Sequence, residues 1–259
     1  MSSVTQRIKS IKQPRGGYIK PSQFNKEEFE DGQILNENEN INSSIVGLVV
    51  DYLTRFAMGT DAKEAFKISL RGAHNAEISG QKSALNTAKN LLSGITGLDN
   101  NSIINACKIV TYDVWYRNYK IALSIKGDDK KEPDSETIQN IKIMVERSVK
   151  FWEKFGPILQ VGFEFSPNGY TKTVHAGDGD YLTADTLWDF KVSKNDPKSE
   201  NTLQLLMYWI MGQHSGQDIY KGVRKLGIFN PRLNRVYLIE IESIPIEIIE
   251  EIEKNVICY

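Results

Sequence analysis

Asp189 and Lys191 stand two residues apart in the run TLWDFKVSK, and Asp180 lies a tight turn earlier in GDGDYLTAD. Alternate residues of a strand share a face, so in an extended run the acid and the lysine project together while Trp188, Phe190 and Val192 point away. A charged pair on a strand otherwise made of Leu, Trp, Phe and Val is costly unless something satisfies it. If the two runs pair as neighbouring strands, Asp180 comes close to Asp189. Two carboxylates about 5 Å apart repel by roughly 3 kcal/mol at an effective dielectric near 20. A divalent cation removes that penalty, and Mg2+ favours one or two carboxylates completed by water and phosphate oxygens. Beside it, Lys191 can orient an attacking water or stabilise a pentavalent phosphate.

The Asp-x-Lys spacing alone carries nothing. It recurs at Asp61/Lys63, Asp128/Lys130, Asp129/Lys131 and Asp196/Lys198, in polar turns or near helix starts where a solvated salt link explains it. Only Asp189/Lys191 sits in an apolar strand with a second acid just upstream. Taken with Gly177-x-x-Asp180 and the later Gln204-x-x-x-Tyr208, the set resembles the PD-(D/E)XK nuclease superfamily, in its RecB-type and lambda-exonuclease-like branch, over residues 134–242. The resemblance implies an α/β, restriction-endonuclease-like core with a mixed central sheet flanked by helices. It implies that Asp180 and Asp189 hold Mg2+ or Mn2+ and that Lys191 assists the attacking water. Gln204 and Tyr208, one helical turn apart and so on one face, would brace the site or touch the DNA backbone. A polar stripe at a helix–sheet contact is their plainer reading.

The family often adds an upstream acid, for which Glu164 in GFEFS is the candidate; a surface strand glutamate is its rival reading. Asp178 can replace Asp180 as ligand, although the Gly-x-x-Asp spacing favours Asp180. Some members supply a histidine from an N-terminal helix, and here His74 and Asp51 compete for that place. His175 and His214 read as structural.

The elements that must position these groups follow from periodicity. Apolar residues at three and four predict helices over 41–56, 61–76, 81–92 and 102–125, and an amphipathic helix over 135–155 stopped by Gly156-Pro157. After that, 158–166 and 170–182 read as a hairpin, 186–194 as a third strand, 201–214 as a helix, 222–229 and 235–241 as strands, and the chain from Pro245 as a last helix. The charged turn 127–134 makes the best domain boundary. The expected organisation is therefore a basic arm and acidic linker over 1–40, a helical region over 41–133, and the nuclease-like core over 134–259.

Composition narrows the classes. The chain has 259 residues, 32 Lys+Arg against 33 Asp+Glu for a net charge of −1, and 40% hydrophobic residues, which excludes a wholly disordered protein. Two cysteines and three unclustered histidines argue against a disulfide scaffold, a structural zinc site and an iron–sulfur cluster. No apolar run is long enough to span a membrane, and the start of the chain is not a signal peptide, so a cytoplasmic, soluble protein is expected.

A nucleic-acid partner must then be met by local charge. Lys63, Lys67, Arg71 and His74 form one stripe of the helix expected over 61–76. Lys221, Arg224, Lys225, Arg232 and Arg235 follow one another without an intervening acid. Either set would track phosphates, and either is equally readable as a solvated face. The expectation is a Mg2+- or Mn2+-dependent deoxyribonuclease of an exonuclease, repair, recombination or defence type. The alternative is a catalytically inactive nuclease-like fold that binds nucleic acid or serves an assembly, with a homo-oligomer or a partner protein engaged through the helical region.

Overall fold

A computed structural model of the chain describes residues 2–124 and 131–259. In chain order the elements begin with strand β1 (Ser2–Ser3), helix α1 (Val4–Ser10) and strand β2 (Asn25–Glu28). A helical stretch follows: α2 (Ser43–Ala57), α3 (Ala62–Ala65), α4 (Lys67–Ile78), α5 (Ala84–Ser93), α6 (Asn100–Val110), α7 (Asp113–Arg117), α8 (Tyr119–Ser124) and α9 (Ser135–Phe155). Then come strands β3 (Gln160–Phe163), β4 (Val174–Ala176), β5 (Gly179–Leu182) and β6 (Thr186–Phe190), and helix α10 (Ser199–Ser215). Strands β7 (Lys225–Asn230) and β8 (Arg235–Glu240) and helix α11 (Ile246–Glu251) complete the chain. These elements form two units, one of Met1–Glu30 with Phe151–Tyr259 and one of Asp31–Lys150. Charge runs had suggested divisions at 40/41 and 133/134; the sequence has no punctuation at 150/151, because that division falls inside the continuous helix α9.

The first unit is α/β. Its mixed sheet has the order β2-β8-β7-β6-β5-β3, antiparallel throughout except for β6 and β7, which run parallel and are joined through α10. Parallel neighbours need such a crossover. Leu187, Leu182, Leu226, Ile228, Tyr237 and Ile239 pack on one side with the residues of α10. Tyr181, Trp188, Phe229 and Val236 pack with Phe151 and Trp152 from the last turn of α9 on the other. Phe151 stacks on Phe229 with ring centroids 4.0 Å apart.

The expected arm is instead part of this unit. Helix α10 is apolar almost all round, with Leu203, Leu205, Leu206, Met207, Ile210 and Met211 buried. A helix of that kind must be covered on more than the sheet side. Helix α1 packs against it, and Val4, Ile8, Ile19 and Phe24 are buried in the same cluster. Each such side chain contributes roughly 1.5–3 kcal/mol. β1 pairs with β4, and β2 adds an edge strand to β8. The hairpin expected between 158–166 and 170–182 is a β3–β5 pair separated by a long connection, and β4 turns away to join β1.

The second unit is helical among its described residues. Asn42 caps α2 by accepting from the Ser44 amide at 2.9 Å, and Asp99 caps α6 through Asn101 and Ser102. The helix expected over 61–76 breaks at Phe66, which turns in fully buried against Tyr52. The helix expected over 102–125 is broken twice, at Thr111–Tyr112 and at Asn118, and Ile125 lies outside the described residues. The first break lets α7 come against α4, where a Cβ on Gly72 would lie 2.0 Å from the Tyr112 carbonyl oxygen. It also buries Asp113, which accepts from the hydroxyls of Tyr52 at 2.6 Å and Ser69. Asp31, expected in a loose linker, makes a paired contact with Arg147 at 2.6 and 3.0 Å. Of the charged turn 127–134, residues 127–130 lie outside the described residues, and with them the pairs Asp128/Lys130 and Asp129/Lys131.

Candidate active site

The site forms where β6 ends. Its register with β5 pairs Tyr181 with Trp188 and Leu182 with Leu187, and beyond that pairing Asp180 and Asp189 both come near Lys191, whose pKa each of them raises. Asp180 Oδ2 accepts from the Phe190 amide at 2.8 Å, a bond that holds the carboxylate at this rim. Lys191 follows the last strand residue, and its amide donates to the Phe229 carbonyl at 2.9 Å, extending the β6–β7 pairing by one position. The carboxyl end of parallel strands is where open α/β sheets place ligands.

Asp189 is only 3% exposed. Its Oδ1 lies 3.0 Å from the Lys191 ammonium, while Oδ2 is buried without a hydrogen-bond partner among the described residues. Leaving a buried carboxylate oxygen unmatched is costly. Burial works against the Lys191 ammonium, yet the charges of Asp189 and Asp180 outweigh it and hold its pKa above the ordinary lysine value. Lysine here is a fixed cation.

Helix α10 supplies the other wall. The Lys191 amino group reaches Gln204 Oε1 at 3.5 Å, and Gln204 Nε2 donates to the Tyr208 hydroxyl at 2.7 Å. The Tyr208 ring is 4% exposed and packs against Phe163 and Phe165. Burial drives the phenol's pKa upward; the Gln204 hydrogen bond opposes this, and the charges of Asp189, Asp180 and Asp178 add to it. Asp180, Asp189, Lys191, Gln204 and Tyr208 thus lie together in one cluster.

Glycine makes room for it at two places. A Cβ on Gly179 would meet the Phe163 ring at 1.8 Å, and one on Gly177 would meet Val4 Cγ2 at 2.8 Å. Sequence reasoning missed Tyr170, whose hydroxyl donates to the Gly177 carbonyl at 2.7 Å and steadies the approach to Asp180. No spacing in the sequence marks it. It also missed the Ser2 and Ser3 pairing with Val174 and Ala176, the strand leading into Gly177.

The remaining candidates lie elsewhere. Glu164 is exposed just past β3, and its charge acts on Tyr170 and Tyr220 rather than on Lys191. Among the described residues no group of three or more His, Cys, Asp or Glu converges to hold a metal. Asp178 is exposed, with its charge felt at Tyr208. Asp51 and His74 belong to the helical unit: Asp51 pairs with Arg55 at 2.6 Å, and His74 is exposed beside Arg71 in an open hollow of about 480 Å3. His175 is exposed on β4, and His214 contacts Glu253 and stacks on Tyr259.

The basic stretches fare differently from their look in sequence. Lys63 stands on α3, separated from Lys67, Arg71 and His74 on α4, and Lys67 lies 3.7 Å from Glu64. Lys221 pairs with Asp218, Lys225 with Asp185 and more loosely Glu240, and Arg235 with Glu28 and Asp196. Arg224 donates to the carbonyls of Lys221 and Val223, and Arg232 is buried. The acids that neutralise this stretch come mostly from distant parts of the chain.

A cation fits the cluster on its chemistry: two carboxylates beside one lysine, one carrying a buried oxygen without a partner among the described residues, can supply the oxygen ligands that Mg2+ or Mn2+ takes. No helix among the described residues is long and apolar enough to cross a membrane. No family model, curated protein or solved structure matches this chain.

Proposed function

We propose that the chain is a metal-dependent deoxyribonuclease with a PD-(D/E)XK-type core. The observation that carries this reading is the unsatisfied Asp189 Oδ2, buried near a second acid and a lysine held above its usual pKa. Asp180 and Asp189 would hold Mg2+ or Mn2+; when bound, such an ion polarises a phosphoryl oxygen and acidifies water. Lys191, kept protonated by the two carboxylates, steadies negative charge that grows on the phosphate as its ester bond breaks. Gln204 fixes the direction of the ammonium, and Tyr208, anchored in the aromatic cluster, fixes Gln204. The groups of this site act on the phosphodiester and read no base edge themselves.

The test is cleavage of circular, linear and single-stranded DNA with Mg2+ or Mn2+. Wild type should cut in a divalent-dependent manner, and Lys191→Ala should lose about 1,000-fold or more while retaining its far-UV spectrum. Equal activity in the variant rejects the assignment. The absence of a third acid among the described residues favours one other reading, a nuclease-like scaffold that binds nucleic acid or a partner without cutting. It is distinguished by DNA binding with no cleavage in either metal and no heat of Mn2+ binding.

A further inference from the structure

The first acid in the sequence is Glu27, and before it stand Arg7, Lys9, Lys12, Arg15, Lys20 and Lys26, the last of which pairs with Asp196. In the folded chain these cations part company. Arg7 is structural, donating to the carbonyls of Val256 and Asn255 at 2.8 and 2.9 Å. Lys9, Lys12, Arg15 and Lys20 are exposed and make no ion pair among the described residues. That sets them apart from Lys221, Lys225 and Arg235, whose charges are met by acids.

Their backbone is fixed against the helix that carries half of the candidate site. Thr202 donates its hydroxyl to the Ile19 carbonyl at 2.6 Å, and a Cβ on Gly17 would lie 2.4 Å from Ser199 Cβ. Residues 17–19 are therefore clamped on the first turn of α10, just before Gln204. At the other end Val4 closes on Gly177, where a Cβ would also lie 3.5 Å from the Tyr208 ring. Free cations on exposed flexible tails lose entropy when they meet phosphates, whereas cations carried on a fixed backbone lose less.

We infer that Lys12, Arg15 and Lys20, held along α10 by the folded N-terminal strap, form the phosphate-tracking wall of the site and contact the backbone of a DNA substrate. This rests on the nuclease reading above and names the surface that receives its substrate. Binding here is through charge, so it is insensitive to base sequence and steeply dependent on salt.

The experiment measures anisotropy of a labelled duplex DNA against the full chain in EDTA, where nothing is cut, across a salt series. The variants are Lys12→Gln/Arg15→Gln/Lys20→Gln and the charge-keeping Lys12→Arg/Arg15→Lys/Lys20→Arg, each checked for an unchanged thermal melt. The neutral triple should bind about tenfold or more weakly at physiological salt, and the log Kd against log salt slope should flatten by about two to three. The charge-keeping triple should follow wild type. Wild-type affinity and slope in the neutral triple would overturn the inference while leaving the nuclease reading standing. A wild type that neither binds duplex DNA nor cuts it would remove both.

Discussion

At the scale of single residues, Asp189 decides the behaviour of the site. Lys191→Met would strand a carboxylate that is 3% exposed, and with the lysine itself part-exposed the loss should be about 2–4 kcal/mol. It should appear as a lowered melting temperature that divalent ion partly restores. Asp189→Asn removes the charge and with it any rise in wild-type melting temperature on adding Mn2+; binding at 100 Kd stabilises by about 2.7 kcal/mol. The pH sign follows from the raised Lys191 pKa. A raised folded value means the pair's stabilisation is complete below the ordinary lysine pKa and is lost only as pH climbs through the higher folded value. Cleavage should therefore show no falling limb from Lys191 between about pH 7 and pH 9, and a kcat that drops across that window would show the lysine losing its proton. Asp189 and Lys191 were readable because strand alternation is a local rule, and Asp180, Gln204 and Tyr208 because the resemblance pointed to their motif. Tyr170 was not, since its hydroxyl bridges within an irregular connection that follows no period, and Val4 was not, since it reaches Gly177 from the far start of the chain.

At the scale of elements, the glycines of GDGD and the breaks in the helices matter most. Gly179→Ala would drive a methyl into the Phe163 ring, which also supports Tyr208. Overpacking of this kind costs about 1–3 kcal/mol, and cleavage should fall together with the melting temperature; an unchanged melt would mean that the Phe163 ring yields freely. In the helical unit, Asp113→Ala should cost more than Asp113→Asn, because only the amide keeps an acceptor for the Tyr52 and Ser69 hydroxyls. Chemical denaturation compares the two. Burial raises the Asp113 pKa, with its hydroxyl and Arg117 contacts opposing the rise. Strands β6, β7 and β8 and helices α9 and α10 matched their sequence patterns to within a few residues. The splits at Phe66, Thr111 and Asn118 escaped because an apolar period continues through a break that tertiary burial imposes.

At the scale of the whole molecule, unit one is discontinuous: residues 31–150 are inserted between β2 and the last turn of α9. Removing residues 1–128 would take away β2, α1 and the cover over α10, so that truncation should abolish cooperative unfolding of the sheet rather than leave an active core. The basic block read as an arm is in fact a helix cover, and the start of the acidic block is an edge strand, roles that composition does not reveal and long-range pairing does. The most direct measurement is a calorimetric titration of Mn2+ into the full chain and into Asp180→Asn and Asp189→Asn. Wild type should take up the ion at one site that each substitution abolishes. Absence of binding in wild type, or undiminished binding in both variants, would contradict a cation pocket between these two carboxylates.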